Sequence, residues 1–500
     1  MMGLCWSIPV DVPSTILISI TVFLILRWYM RRHIALPPGP RSLPVVGSLP
    51  TLLSLRNTGA PHQIFQRLSE KHGPVLMVNL VAGNRVVVLH GYDVIRDALN
   101  HPDLNGRPSL SVFEQVLQGG IGVVGASGEL WRAQRKLTLN FMRDFGVGKP
   151  VFEDRITTEA GFMLDEIRTY NGRPFNPSQI LSSGISNVIC SVVFGSRYDY
   201  TDSIFIELQR AIYRNTELMG GATGAILFMP YSHLLASFLP MVKECLDNTR
   251  HVNDFSRSVL EEHRKTFNPE IIRDFMDVIL EEERRAEDST VTVNDLLGTT
   301  ADLFSAGSET SSTTLRWALL YMIEFPEIQR KIQGEIDREV GRDCLPRLSD
   351  RAKLPYTEAS LHEIQRISNI IPLGVPHEAS SDVTFRGYNI PKGTIILPNL
   401  WALGMDQELW PEPDKFIPER FFDETDQSVK KSEKLIPYGT GRRACLGEQL
   451  AKMELFLFFT HFLHGFNLSK PEGAPPISFQ GVGGISLSPL PFEICANRRK

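Results

Sequence analysis

The loop at residues 436–450 places a cysteine among glycines just before an apolar helical pattern, a setting suited to holding a metal. Its glycines at 439, 441 and 447 allow tight turns and a close approach of the backbone to a large flat ligand. Backbone N–H groups and the dipole of the following helix would favour the thiolate of Cys445 over the thiol and tune a bound metal. A buried free cysteine that packs as a small hydrophobic residue is the alternative.

The run GRRACLG around this cysteine resembles the haem-binding loop of the cytochrome P-450 superfamily, whose pattern is F-x-x-G-x-R-x-C-x-G. The matching positions are Gly441, Arg443, Cys445 and Gly447, and Tyr438 replaces the usual phenylalanine. The resemblance implies haem b (iron protoporphyrin IX) as cofactor, with Cys445 as the axial thiolate on the iron and Arg443 at the cofactor. The hydroxyl that Tyr438 adds near the sulfur could shift the redox potential of the iron.

A long central helix is predicted over 293–324, and at about 1.5 Å per residue it would run roughly 48 Å. Its run AGSET contains Gly307, which in a helix interior costs about 1 kcal/mol relative to alanine, so we expect a flat cofactor against the backbone there. Thr310 can bond back to the Ala306 carbonyl and open the helix to water and dioxygen, although such bonds also occur without function. The run resembles the family's oxygen-activation motif, A/G-G-x-D/E-T. The resemblance implies that Thr310 donates a hydrogen bond during oxygen activation, that Glu309 relays protons to it, and that Ala306 and Gly307 lie at the haem.

Trp131 and Arg135 lie four residues apart, on one face of a predicted helix. An exposed stacking pair is the alternative. The W-x-x-x-R spacing resembles the family helix that holds a haem propionate, which implies this role for both residues. Arg107 and His377 also match positions where the family places propionate-binding residues.

Glu363 and Arg366 form an E-x-x-R pair, which on an exposed helix would be a solvated pair of little energetic weight. With Arg420 of the later PERF run, they resemble a buried structural network of the family. Such a network requires full pairing, because a lone buried charge is very costly.

Composition limits the class of protein. The chain has 500 residues, of which 42% are hydrophobic and 22% charged, as in a globular protein with a large core. Its formal net charge of −5 gives no support to a nucleic-acid partner. Six scattered cysteines argue against a disulfide framework and a structural zinc site, and favour a reducing compartment.

The N-terminus carries an uncharged, mostly aliphatic run at 12–26, followed by Arg27, Arg31 and Arg32. Flanking uncharged residues extend this run toward the ~20 residues that span a bilayer. A cleaved signal peptide is the alternative, but a basic n-region and a cleavage site are missing around the run. We therefore expect an anchor in the endoplasmic reticulum membrane, with the basic flank and the catalytic domain in the cytosol.

Three segments are expected: a membrane anchor over 1–33, a proline-rich hinge over 34–50 and a haem-binding monooxygenase domain over 51–500. Proline cannot continue a helix, so the hinge would be a stiff spacer, with a generic linker as the alternative. The resemblance covers 34–500, and runs at 145–148 and 186–195 are similar to family 2 of the animal microsomal members. It implies a mainly α fold with a small β-rich lobe and haem between the central helix and the helix after the cysteine loop.

Local patterns add further elements. Helices are predicted at 92–99 and, buried on all sides, within 184–200, and a lid of two helices and a connector is predicted over 205–240. Short strands are predicted at 75–81, 85–89, 385–388 and 394–397.

The substrate pocket is expected to be apolar, which suits lipophilic molecules such as fatty acids (arachidonate among them), steroids and xenobiotics. Its candidate residues, besides Ala306, are Phe113, Ile371, Leu373, Val375 and Val482. The resemblance implies monooxygenation: RH, O2, two electrons and two protons give ROH and water. Because the chain shows no dinucleotide-binding or flavin motif, NADPH would act through NADPH–cytochrome P-450 reductase, with cytochrome b5 as a further candidate partner.

A basic face would receive the reductase, and its candidates are Arg132, Lys136, Arg143 and Arg442; a merely solvated face is the alternative. Two rival functions have different requirements. A haem-thiolate isomerase or dehydratase would not need Glu309 and Thr310. A non-catalytic haem protein would not need the apolar pocket, the lid or the anchor. Monooxygenation is favoured over both.

Overall fold

The computed structural model describes residues 35–109, 120–220, 238–285 and 290–499, together with 18, 19, 22, 116, 118, 224, 226 and 227. Among these residues, none of the helices combines the length and the apolar character needed to span a bilayer. The predicted anchor at 1–33 lies outside the described residues except for three positions, and most of the predicted lid connector does so too.

Helices dominate the described chain. They are α1 Leu49–Leu55, α2 Pro61–His72, α3 Tyr92–Asn100, α4 Gly128–Asp144, α5 Pro150–Thr169, α6 Ser178–Val193, α7 Ser203–Leu218, α8 Pro240–Thr266, α9 Phe275–Arg284, α10 Val293–Glu324, α11 Pro326–Glu339, α12 Pro355–Ser368, α13 Leu400–Gly404 and α14 Glu448–Gly465. The fold is thus mainly α, as the sequence predicts.

Twelve short strands among the described residues form the β-rich part. They are β1 Val75–Asn79, β2 Arg85–Leu89, β3 His377–Glu378, β4 Val383–Phe385, β5 Tyr388–Ile390, β6 Ile395–Pro398, β7 Phe422–Asp423, β8 Ser428–Val429, β9 Phe466–Ser469, β10 Gly481–Gly483, β11 Leu487–Pro489 and β12 Cys495–Arg498. One sheet has the order β1-β2-β6-β3, in which β2 and β6 are parallel and the other pairs antiparallel. The remaining strands pair as β4–β5, β7–β8, β9–β12 and β10–β11.

Helix α10 is the axis of the helical core, and its bounds are those predicted from the sequence. It begins with a capping box, in which the Thr292 side chain accepts the Asp295 N–H and the Asp295 carboxylate accepts the Thr292 N–H at 2.9 Å. It ends where Pro326 starts the next helix. Helix α6 packs along α10 and is apolar on nearly all sides, so it is buried as predicted.

Several local expectations are confirmed, and one is corrected. The predicted strands at 75–81, 85–89 and 394–397 correspond to β1, β2 and β6. The predicted strand at 385–388 is instead the hairpin turn between β4 and β5, because Arg386 and Gly387 both adopt positive φ (49° and 82°).

The proline-rich segment makes backbone contacts with the β-rich lobe. The Pro38 carbonyl accepts the Met77 N–H of β1 at 2.8 Å, and the Ala35 carbonyl accepts the Asn389 N–H of β5 at 2.7 Å. A Cβ on Gly39 would lie 1.8 Å from the Met77 carbonyl oxygen, so only glycine permits this contact. The described part of the predicted hinge is therefore docked on the β-rich lobe through backbone hydrogen bonds.

The structure brings Glu363, Arg366 and Arg420 together in the interior. The Glu363 carboxylate accepts Arg366 Nε at 2.7 Å, Arg366 Nη2 at 2.8 Å and Arg420 Nε at 3.3 Å. Arg366 also donates to the carbonyls of Gly404 at 2.6 Å and Pro413 at 2.8 Å. Both side chains of the Glu363–Arg366 pair are fully buried, so the network ties α12 to the segment that leads into the cysteine loop.

We predict that Arg366→Met lowers the free energy of unfolding by about 3–5 kcal/mol, because it leaves the buried Glu363 carboxylate underpaired. Arg338→Met is the control: the Arg338 side chain is 65% exposed beside Glu339, and such a surface pair contributes at most about 1 kcal/mol. Chemical denaturation of both variants measures the difference. Equal losses in the two variants would contradict a structural role for the network.

Candidate active site

The loop before α14 presents the Cys445 sulfur. Gly441 adopts a φ of 75°, and a Cβ there would lie 2.3 Å from the Leu99 carbonyl oxygen, so the turn requires glycine. The Cys445 N–H donates to the Tyr438 carbonyl at 2.9 Å, and α14 begins three residues after the cysteine.

The ionisation of Cys445 differs from the expectation. Burial raises the pKa of the Cys445 thiol, and the Gly447 N–H and the Arg135 charge offset this only in part. The Cys445 residue as a whole nevertheless keeps part of its surface accessible. The loop donors alone therefore do not favour the thiolate; a coordinated metal ion would supply the missing positive charge.

Helix α10 exposes part of its surface near the middle of its length. Ala306 is exposed and Thr310 half-buried, although the helix is otherwise largely buried in the core. Thr310 Oγ1 donates to the Ala306 carbonyl at 2.8 Å, so the predicted back-bond is present. These positions form an accessible face on an interior helix, as a site for a flat cofactor and a small gas molecule would require.

The structure explains the glycine at position 307 by a contact other than the expected cofactor. A Cβ on Gly307 would lie 2.6 Å from Ile189 Cδ1 of α6. The glycine therefore permits close packing of α6 against α10, and the direction of its missing side chain is filled by protein rather than by a cofactor.

Three arginines surround the cysteine loop. Arg135 Nη2 donates to the Ala444 carbonyl at 2.8 Å, and Arg443 donates to the carbonyls of Asn105 at 3.0 Å and Ala126 at 2.8 Å. Arg107 donates to the carbonyls of Val124, Val375 and Pro376. The Trp131 ring lies 4.0 Å from the Arg443 guanidinium and 6.0 Å from that of Arg135. Within the described part of the chain, none of these arginines forms an ion pair.

Burial without a counter-charge perturbs these groups. Burial lowers the pKa of Arg443 to about 9, assisted by the positive charges of Arg107 and Arg135. Burial also lowers the pKa of Arg107 to about 10, and only the more distant Asp302 acts in the opposite direction. Arg443 Nη1 is buried and has no hydrogen-bond partner among the described residues. The cluster has the donor set and the excess positive charge that a ligand with carboxylates would satisfy.

His377 lies at the edge of this cluster. Its Nδ1 is 3.1 Å from the Leu104 carbonyl oxygen. Burial lowers the pKa of His377 to about 3, with further contributions from the charges of Arg107 and Arg443. A dianionic ligand would offset these positive charges and so remove part of the effect that lowers the pKa of this ring. The two propionates of haem b have the required charge, so the residues present fit this cofactor.

The segment from 37 to 496 matches the family model described as Cytochrome P450. The chain belongs to the cytochrome P450 family. It is 38% identical to cytochrome P450 2B12 of Rattus norvegicus over 487 residues, which cover 96% of this chain and 97% of that protein. It is 39% identical to cytochrome P450 2J5 of Mus musculus over 489 residues (97% and 96%), and 38% identical to cytochrome P450 2J2 of Homo sapiens over 492 residues (97% and 96%).

Membership establishes the chemistry at a coarse level. This cytochrome P450 is a haem-thiolate monooxygenase with a mainly α fold, a haem cofactor, a redox partner and a lipophilic substrate.

Glu309 lies on a different face of α10 from Thr310. Its Oε1 accepts hydrogen bonds from Thr313 Oγ1 at 2.9 Å and from Ser486 Oγ, in the turn between β10 and β11, at 3.2 Å. Burial raises the pKa of Glu309, while these hydroxyl donors and the Arg316 charge offset part of the effect. Adjacent helical residues point about 100° apart, so a proton moving between Glu309 and Thr310 needs an intermediary.

Tyr438 carries its hydroxyl toward α12. Gln365 Nε2 donates to the Tyr438 hydroxyl at 2.8 Å. In the sequence, Gln365 lies between Glu363 and Arg366, the two members of the buried ion pair. The hydroxyl expected to act near the sulfur is thus held by an amide of a neighbouring helix.

The pocket candidates are spread over two segments. Ile371, Leu373 and Val375 are half-buried between α12 and β3, and Val482 is half-buried in β10. The Val375 carbonyl accepts a hydrogen bond from Arg107 at 3.2 Å. Phe113 lies outside the described residues.

Two polar features near the site were missed by sequence reasoning. Ser311 Oγ donates to Glu454 Oε2 of α14 at 2.7 Å, and burial raises the pKa of Glu454 to about 8. Ser486 reaches Glu309 across a separation of 177 positions. Neither contact has a local sequence signal, because its partners meet only in the folded chain.

We predict that Arg443→Met accelerates haem loss by about ten- to a hundredfold, since one charge-assisted hydrogen bond contributes about 1.5–3 kcal/mol. Transfer of haem to an excess of apomyoglobin measures the rate. The neighbouring Arg442 is exposed, so Arg442→Met should leave the rate unchanged. The assignment fails if both variants release haem at the same rate.

We predict that Gly307→Ala destabilises the protein by about 1–3 kcal/mol, because the added methyl overlaps Ile189. Adding Ile189→Ala should recover part of the loss, as a coupled pair does in a double-mutant cycle. Gly334→Ala is the control, since a Cβ in that helix meets nothing within 4 Å. It should stabilise the protein by at most about 1 kcal/mol. A stabilising effect of Gly307→Ala would disprove the packing explanation.

Proposed function

We propose that this monooxygenase inserts one oxygen atom from O2 into a fatty acid such as arachidonate, a steroid or a xenobiotic, using electrons that NADPH supplies through NADPH–cytochrome P-450 reductase. The observation that carries the proposed haem site is the arginine cluster beside Cys445, whose described hydrogen-bond partners are carbonyl oxygens and which forms no ion pair with a carboxylate among the described residues. The half-buried apolar side chains of Ile371, Leu373 and Val375 support a lipophilic substrate.

Each residue has a proposed role. Haem would supply the dioxygen chemistry when bound, and the overall reaction converts RH, O2, two electrons and two protons into ROH and water. Cys445 would hold the haem iron through its thiolate, and Trp131, Arg135, Arg107, His377 and Arg443 would hold the haem propionates. Ala306 and Thr310 would line the haem pocket, where the Thr310 hydroxyl would donate a hydrogen bond and Glu309 would store a proton for transfer.

The electron donor is proposed to dock on the exposed basic residues of α4 and the cysteine loop. Arg132 pairs with Glu129, and Arg143 pairs with Asp144 at 3.4 Å. Lys136 and Arg442 are exposed, and the described residues offer them no ion pair. These two are the cations available to a negatively charged reductase or cytochrome b5.

We further propose an anchor at 1–33 that holds the enzyme on the endoplasmic reticulum membrane, with the catalytic domain 51–500 in the cytosol. The aliphatic run 12–26 and its basic flank support this placement. Segment 34–50 would connect the two, and the docked contacts of Pro38 and Gly39 make it a short, fixed connection.

The reduced carbon-monoxide difference spectrum tests the ligand assignment. We predict a Soret band at the thiolate position for the wild type and its loss in Cys445→Ser, because serine offers no thiolate. A wild-type band at the position of imidazole-ligated haem would contradict the assignment.

Turnover with a purified reductase and NADPH then tests the substrate class. A panel of arachidonate, a steroid and a lipophilic drug should give at least one hydroxylated product that depends on NADPH. Product formed from a lipid peroxide without NADPH would instead favour the isomerase alternative.

A further inference from the structure

A small cavity lies between α7, α10 and the β10–β11 hairpin. It leaves about 10 Å³ of room for the centre of a water molecule, about the space that one water needs. Polar side chains from all three elements line it, among them Tyr213, Glu217, Glu309 and Ser486. A buried carboxylate thus shares one water-sized space with hydroxyl groups and a second carboxylate.

The inner end of the cavity is Glu309. Its carboxylate accepts hydrogen bonds from Thr313 and Ser486, and the Ser488 hydroxyl lies 3.4 Å from that of Thr313. The positive charge facing it is Arg316, one of whose donors is held by the Pro489 carbonyl at 3.1 Å. Glu309 is therefore held in a shell of hydroxyl groups, which can both donate and accept protons.

The outer end of the cavity is Glu217, near the C-terminus of α7. Its side chain is 30% exposed and pairs with Arg214 at 2.9 Å, and Arg214 also pairs with Glu244 at 2.7 Å. Burial raises the pKa of Tyr213; the Arg316 charge acts in the opposite direction, and the charge of Glu217 adds to the effect. Tyr213 and Glu217 both line the cavity, so a solvent-accessible carboxylate and a phenol border the same buried space.

The hairpin is fixed against both helices. The Ile485 N–H donates to the Thr216 carbonyl at 2.9 Å, and Trp317 Nε1 of α10 donates to the Leu487 carbonyl at 2.8 Å. A Cβ on Gly484 would lie 2.5 Å from the Thr216 carbonyl oxygen, so glycine is required for this approach. These contacts hold the Ser486 hydroxyl between Glu309 and the cavity.

We propose that the protons consumed in oxygen activation enter through this cavity, from Glu217 and Tyr213 at its outer end, by way of a water and Ser486, to Glu309. A second water then carries them from Glu309 to Thr310, which lies on a different face of α10. The inference rests on the proposed function and deepens it by naming the solvent end of the proton supply. Each turnover draws two protons along the path, and both are consumed with the two electrons that convert O2 into water and the inserted oxygen. Tyr213 and Ser486 are positioning and relay residues and do not touch the substrate.

The test compares Tyr213→Phe and Ser486→Ala, each of which removes one hydroxyl from the path. Thr216→Val is the matched control: Thr216 lines the same cavity, but its hydroxyl already donates to the Ile212 carbonyl at 3.0 Å. The holoenzyme with reductase and NADPH is assayed in H2O and in D2O. We expect turnover at least about tenfold lower and a larger solvent isotope effect in the two path variants, because proton transfer becomes limiting.

Infrared spectroscopy of the resting holoenzyme supplies a readout that does not depend on turnover. Ser486→Ala removes a donor to the Glu309 carboxylate, which should raise the pKa of Glu309 and strengthen the band of its protonated carboxyl at a given pH. Glu309→Gln identifies that band, and Thr216→Val should leave it in place.

The possible outcomes distinguish a failure of the proposed proton path from a failure of the proposed function. If the wild type forms no product with any substrate of the panel, the proposed function fails. If the wild type is active and both path variants match Thr216→Val in rate and isotope effect, the path is refuted while the function stands. A lower rate with an unchanged isotope effect would also refute it, since that result indicates a structural role for these hydroxyls.

Discussion

Three guanidinium groups, those of Arg107, Arg135 and Arg443, are partly withdrawn from water beside the Cys445 loop, and their described hydrogen-bond partners there are carbonyl oxygens. Burying positive charge without an anion is unfavourable, and the lowered pKa values of Arg107 and Arg443 express that penalty. A ligand with two carboxylates offsets this penalty of burying unpaired positive charge. The site is therefore matched in charge to haem, and the same loop that presents the sulfur also carries one of the arginines.

The scaffold around this cluster depends on contacts that hold the loop in place. The Glu363–Arg366 pair of α12 binds backbone groups of the segment before the loop, among them the Pro413 carbonyl, and Gln365 reaches the Tyr438 hydroxyl at 2.8 Å. Ser311 of α10 donates to Glu454 of α14 at 2.7 Å. One helix thus anchors the entrance of the loop, and another fixes the helix that follows it.

The sequence predicts the parts of the site that have short patterns: the glycines around Cys445, the Thr310 back-bond and the bounds of α10. It does not predict what depends on distant packing. Gly307 faces Ile189, a residue of a separate helix, and the thiol of Cys445 is governed by burial that the loop alone does not reveal. Pro38 and Gly39 have the composition of a linker, yet they dock on β1 through backbone bonds that composition does not encode.

The most direct test of this account compares the binding of haem with that of its dimethyl ester, in which both propionates are uncharged. Iron ligation by the thiolate is the same for both compounds, so the difference in affinity measures how much the arginine cluster contributes to haem binding. The account predicts that haem binds at least about a hundredfold more tightly, because two charge-assisted interactions of about 1.5–3 kcal/mol each are lost in the ester. Equal affinities would contradict it, since the buried arginines would then have no part in holding the cofactor.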